Sequence, residues 1–125
     1  MGTLIIKNLS KKTILTLKAD ICDNTFSRFI GLMFRRKPTN LFFKFDDFDF
    51  HPIHSFFVFF PFDALYLVQK KKFFKVVDFF EDIAPNHFFC PKNKNSFLLE
   101  LQSNKRKRLK ISQGDKLLLR WKYEK

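Results

Sequence analysis

IHSFFVFFPFDALYL, residues 53–67, is a long apolar run that carries a histidine, a proline and an aspartate at fixed places. Its length and its interruption predict two consecutive strands, Ile53 to Phe60 and Ala64 to Gln69. They fold back at Pro61, which cannot donate a ladder hydrogen bond and so belongs at a bend, edge or bulge. Both strands are expected to be central, with His54 and Asp63 pushed to their rim.

The flanks carry shorter signals. Thr3 to Leu9 and Thr13 to Ala19 alternate apolar and polar residues on either side of Ser10, Lys11 and Lys12. That pattern predicts a hairpin with one buried face, Leu4, Ile6 and Ile14 pointing the same way. After Asp20 the period lengthens: Asn24 is suited to cap a helix from Thr25 to Met33, with Phe26, Phe29, Ile30 and Met33 on one face. Gly31, then Arg35, Arg36, Lys37 and Pro38, read as its end. Leu41 to Phe45 and Phe73 to Phe80 are expected strands, and Glu81 to Asn95 an irregular loop. Phe97 to Leu101 is a further strand, Ser103 to Lys110 a basic helical turn or two, and Lys116 to Tyr123 a last strand beyond Gly114. Many short strands with one or two short helices point to an all-β sandwich or barrel, not a parallel sheet.

Phe occurs 20 times, and Lys plus Arg outnumber Asp plus Glu by 24 to 12, a formal net charge of +12. Codons rich in A and T encode Phe, Lys, Asn and Ile alike, so genome composition explains much of both excesses. A field this positive still attracts polyanions. A chain of 125 residues can bury a core without metals or crosslinks, and 1–125 is read as a single domain. Cys22 and Cys90, far apart and without CxxC spacing, are expected as reduced, mostly buried thiols. MGTLIIKNLS shows neither a signal peptide nor a myristoylation motif, and Phe56 to Phe62 falls well short of the ~18 to 20 residues that span a bilayer. A cytoplasmic protein without a membrane span is the expectation.

Four blocks resemble one family. Arg28 with Gly31-Leu32-Met33-Phe34-Arg35 is similar to the RxxGLMxR signature of the prokaryotic family called domain of unknown function 192. Ile53-His54-Ser55-Phe56 followed by Phe60-Pro61-Phe62-Asp63 resembles the IHTFGMRFPIDVVFLD segment of its archaeal-type branch. Leu98-Leu99-Glu100-Leu101 resembles the family's VLEL strand, and Ile111 with Gly114-Asp115 its GIxxGD turn. The blocks keep the family's order and spacing over nearly the whole chain. The resemblance implies a jelly-roll-like β-sandwich and no particular activity, since the family's biochemical role is not established. Two departures stand out: Val58 and Phe59 replace the branch's usual Met-Arg, and Gln102, Ser103 and Asn104 replace Pro-Ala-Gly.

Arg28 and Arg35, about two helical turns apart, can project from one face, and their fork geometry suits a carboxylate or phosphate. The structural alternative has one of them bracing Asp63 or Glu100. His54 and Asp63 approach each other if the strands fold back at Pro61, giving an oriented histidine able to act as a base. More plainly, His54 caps a strand end and Asp63 accepts turn amides. His87 and Cys90 form an HxxC without a second local pair, so no metal and no cofactor is expected. Lys105, Arg106, Lys107 and Arg108, with Lys110 and Lys116, form the main basic patch, read first as a solvated face with weak, salt-sensitive nucleic-acid binding as its functional alternative.

The leading expectation is a non-enzymatic module that binds a small, anionic ligand or a partner in a pocket of Arg28, Arg35, His54 and Asp63. The alternatives are a small hydrolase or isomerase using His54 and Asp63, and nucleic-acid association through the C-terminal basic face.

Overall fold

The structure, a computed structural model, describes residues 2–103 and 105–123; the side chains of Thr25, Phe26, Lys105, Arg106 and Tyr123 lie outside the description. Seven strands close into a barrel: β1 (Gly2–Asn8), β2 (Thr13–Cys22), β3 (Asn40–Asp49), β8 (Asn95–Gln102), β5 (Phe62–Gln69), β6 (Phe74–Ile83) and β9 (Lys116–Tyr123), in that spatial order. Two residue pairs, β4 (Ile53–His54) and β7 (Phe88–Phe89), form a separate ribbon. Two short helices, α1 (Thr25–Ile30) and α2 (Lys105–Leu109), complete the elements. The all-β reading with one or two short helices therefore holds. The ladder is antiparallel except where β2 runs parallel to β3, and β6 meets β9 only at Phe74–Leu117 and Lys75–Lys116. That narrow seam leaves a barrel close to a sandwich. Among the described residues no helix is long and apolar enough to cross a membrane.

Period-2 alternation sorts the apolar residues into two clusters. Leu4 and Ile6 of β1, Leu15 and Leu17 of β2, and Leu65, Leu67, Leu99 and Leu101 of the central strands fill the barrel interior, where Leu109 and Ile111 join them from the α2 segment. On the opposite face of β3, β8 and β5, Leu41, Phe43, Leu98, Phe62, Ala64 and Tyr66 pack against Leu32, Ile53 and Val58. The helix α1 and the segment 52–60 thus roof the outside of the sheet. Each cluster removes large aliphatic and aromatic side chains from water, about 1.5–3 kcal/mol apiece.

Several local expectations change. Ile14 is 65 % exposed, because Ile6 stands opposite Leu15 and Leu4 opposite Leu17; directly opposed residues share a face, so Leu15 and Leu17 enter the core. Helix α1 stops at Ile30, not Met33. Asn24 caps it through its side-chain oxygen, which accepts from the Ser27 amide at 2.8 Å. Gly31 then takes a φ of +48°, a left-handed conformation that ends the helix. A Cβ there would meet the Phe43 ring at 3.2 Å, so the glycine also permits close packing on the sheet. Phe29, expected inward, is exposed.

The largest change falls in the opening stretch. Only its second half, β5, is a central strand. From Ile53 the ladder lasts two residues, and then Ser55 takes its amide to the His87 carbonyl and its carbonyl to the Val58 and Asn86 amides. With those groups spent on turns and Phe57 at a φ of +61°, no strand can continue to Phe60. The presumed loop 81–95 in turn contains the end of β6 and all of β7. Cys90 is exposed, while Cys22 is buried; both are free thiols.

Candidate functional site

Strand β8 lies between β3 and β5, with Glu100 opposite Leu41 on one side and Ala64 on the other. Alternation sends Leu99 and Leu101 into the barrel and therefore aims Leu98 and Glu100 at the outer face, beneath the roof of α1 and the 52–60 segment. A cavity of about 80 Å³ survives there, bounded by Arg28, Phe43, Ile53, His54, Val58 and Glu100 among others. Its walls are mostly apolar, and Glu100 is its buried polar floor.

Glu100 is 4 % exposed. Among the described residues no hydrogen bond or ion pair reaches its carboxyl, and burial alone pushes its pKa up from 4.5 to about 8. Charging the group would require removing a carboxylate from water without a compensating donor, so the neutral acid is the favoured form at neutral pH. A protonated carboxyl offers one O–H donor and one carbonyl acceptor. Tyr66, on the same face of β5, does not serve it: the phenol donates to the His51 carbonyl at 2.5 Å.

His54 ends β4 and lines the cavity half-buried. Its Nδ1 accepts from the Phe56 amide at 3.2 Å, which puts the proton of the neutral ring on Nε2. Arg28 projects from α1, donating from Nη1 to the Lys44 carbonyl and from Nη2 to Asp46 Oδ2, both at 2.9 Å. Its side chain is only 16 % exposed while that of Asp46 is 84 % exposed, so the guanidinium bridges the rim of the cavity and solvent.

The other two expected residues lie elsewhere. Arg35 curls back on its own turn, Nε donating to the Gly31 carbonyl at 3.0 Å, with Nη1 3.7 Å from Asp20. Thus Arg28 and Arg35 brace Asp46 and Asp20 rather than Asp63 or Glu100. Asp63 is sealed, 1 % exposed, and accepts from the Asp82 amide at 2.9 Å. It stands opposite Leu101 while Ala64 stands opposite Glu100, so it faces the barrel side of the sheet. The expected rim position is corrected: Asp63 and His54 lie on opposite sides of β5.

His87 directs Nδ1 at the carbonyls of Ala84 and Pro85. Among the described residues no three His, Cys, Asp or Glu side chains converge as a metal site would require. In the basic patch, Lys107 and Arg108 are exposed, Leu109 anchors the helix in the barrel, and Lys116 lies over the Phe73 ring at 5.0 Å; the side chains of Lys105 and Arg106 fall outside the described residues.

Glu100 was within reach of sequence reasoning. A lone carboxylate inside Leu98-Leu99-Glu100-Leu101 occupies, by period 2, the face of Leu98, and a charged residue amid a buried strand is seldom without purpose.

The comparisons agree on architecture. The family DUF192, described as uncharacterised ACR, matches the chain over residues 6–119. No curated protein matches it. A solved structure from Sinorhizobium meliloti 1021, described as a candidate transcription regulator, superimposes with a TM-score of 0.81 at 21 % identity, covering 94 % of this chain and 92 % of that one. A protein of unknown function from Novosphingobium aromaticivorans DSM 12444 gives 0.77 at 17 %, covering 93 % and 83 %. At those identities the likeness shows the fold alone.

Proposed function

The chain belongs to the DUF192 family, and from that premise we propose that it is a small-ligand binding module of the family's archaeal-type branch, its pocket the cavity floored by Glu100. One observation carries this reading: a buried carboxyl with no partner among the described residues, facing a cavity that also meets Arg28 and His54. Unpaired buried polar groups cost on the order of 1–3 kcal/mol, and a ligand that hydrogen-bonds Glu100 recovers that cost. The apolar walls and the small volume favour a compact organic anion. Its hydroxyl or carbonyl group bonds the protonated Glu100, and its carboxylate or phosphate takes donors of Arg28 left over from Lys44 and Asp46. Phe59 stands where the branch carries an arginine, which leaves Arg28, from the RxxGLMxR block, as the cation at the rim.

The hydrolase or isomerase alternative draws no support from the geometry, since the sheet stands between His54 and Asp63. Nucleic-acid association through Lys107 and Arg108 rests on charge alone. A cytoplasmic setting is supported by the two free cysteines.

A thermal-shift screen of small organic acids and phosphorylated metabolites on wild type, Glu100→Gln and Arg28→Ala tests the proposal. A ligand that binds only the folded chain raises its melting temperature. The expected hit loses most of its shift in both variants; a hit that shifts all three alike would place the ligand elsewhere, and a screen without hits would remove the reading.

A further inference from the structure

The two segments that roof the outer face carry large side chains that the core does not use. Phe29, Phe34, Phe56, Phe57 and Phe59 are all exposed, Phe34 by 58 % and Phe57 by 55 %. Scattered apolar residues on a surface need no explanation, but clustered ones do. Phe34 and Phe57 are clustered by construction: their rings stack with centroids 5.0 Å apart, and the Phe34 amide donates to the Phe57 carbonyl at 2.8 Å. Both also hold left-handed backbones, φ +63° and +61°, a region bulky residues rarely adopt. The fold thus keeps two strained turns whose effect is to hold paired aromatic rings in water.

Cations follow directly. Arg36 and Lys37 are exposed close behind Phe34, and among the described residues neither forms an ion pair. The acidic groups nearby are engaged, Asp46 by Arg28 and Asp20 by Arg35, and the chain as a whole carries +12.

We propose that the turn 31–37 and the loop 55–60 form a docking surface for an anionic lipid bilayer. Phe34 and Phe57 enter the interfacial layer, and Arg36 and Lys37 meet the phosphate headgroups. Aromatic rings beside basic residues are the composition that holds a protein in a membrane interface without a spanning segment. A single-stranded nucleic acid fits less well. Bases stack on rings spaced along a cationic groove, whereas these two rings cover one another and sit on a turn and a loop with the cations on one flank.

Flotation of the full chain with vesicles of phosphatidylcholine, alone or mixed with phosphatidylglycerol, tests this surface. Binding is expected to the mixed vesicles and to weaken with salt. Arg36→Glu with Lys37→Glu should lower affinity about tenfold or more, and Phe34→Asn with Phe57→Asn should abolish detectable binding. Asparagine tolerates a left-handed backbone, so the second variant should melt no lower than wild type, which separates lost docking from lost folding. Equal binding to both vesicle types, no binding to either, or binding unaffected by the phenylalanine changes would overturn the proposal. A dimer, or a single-stranded oligonucleotide complex, that disappears with Phe34→Asn and Phe57→Asn while vesicles are ignored would overturn it too, by assigning the surface to a second copy or to nucleic acid.

Discussion

Asp63 and Glu100 sit one register step apart on neighbouring strands and face opposite sides of the same sheet, Ala64 being the residue across from Glu100. One carboxylate faces the barrel side, where the Asp82 amide bonds it; the other looks into a cavity and has no hydrogen-bond partner among the described residues. The second position is the one proposed above as the floor of the binding site.

Glu100 makes stability fall as pH rises. Its folded pKa of about 8 exceeds the ordinary 4.5, so between those values the native state holds a proton that the unfolded chain has released. The penalty is absent below about pH 4.5, grows through the interval, and is complete above pH 8, reaching a few kcal/mol. Glu100→Gln keeps the shape and removes the titration. Urea melts should show the variant close to wild type at pH 5 and more stable at pH 9; a difference that does not grow with pH would contradict the burial of an uncompensated acid.

Asp115 acts in the reverse sense. Burial pushes its pKa up, but the Lys11 ammonium, the Ser112 amide and the Asn8 side chain together hold it below the usual value. Its contribution is present above the unfolded carboxylate pKa and is lost as pH falls through the lower folded one. Asp115→Ala removes one of the two acceptors of the fully buried Asn8 amide group, the carboxylate at 3.0 Å, and leaves the other, the Leu109 carbonyl. A loss of about 2 kcal/mol at pH 7, shrinking towards pH 2, is expected in denaturant titrations.

The two thiols should differ sharply towards a thiol reagent. Cys90 is exposed and is expected to react at once in the native protein. Cys22 is buried, and burial first, then the Glu100 charge, raises its pKa to about 11, so little thiolate forms. Timed labelling with mass spectrometry should find Cys22 modified only at the rate of unfolding; fast labelling of both would mean that the roof over the outer face opens readily.

Gly31→Ala addresses the roof itself. The new Cβ must occupy a left-handed residue and press on the Phe43 ring at 3.2 Å. A destabilisation of about 1–2 kcal/mol is expected, together with weaker binding of any ligand found for the cavity, because Gly31 and Phe43 both line it. Unchanged melting and binding would show that the turn shifts freely.

Much of the fold was legible because strands write their periodicity into the sequence. Leu4 and Ile6, Leu65 and Leu67, and Leu99 and Leu101 alternate, and the family blocks containing Arg28, His54 and Glu100 follow one another in order. Strand register was not legible. Whether Ile14 or Leu15 enters the core depends on which residue stands opposite Ile6, and no local pattern states that. The stretch 53–60 misled for a related reason. Its apolar content suited a strand, but strand formation needs free backbone partners, and Ser55 had given its amide to His87 and its carbonyl to Asn86 and the nearby Val58.

By itself the sequence determined an all-β chain, its main strands and the residue types available for a site, since hydrophobic period and turn chemistry are local properties. Only tertiary structure decided that Glu100 and His54 share a cavity, that Asp63 lies beyond the sheet, and that Phe34 stacks on Phe57 in solvent. Those outcomes depend on how distant strands pair and which face each presents, and pairing between residues tens of positions apart is fixed by the packed whole.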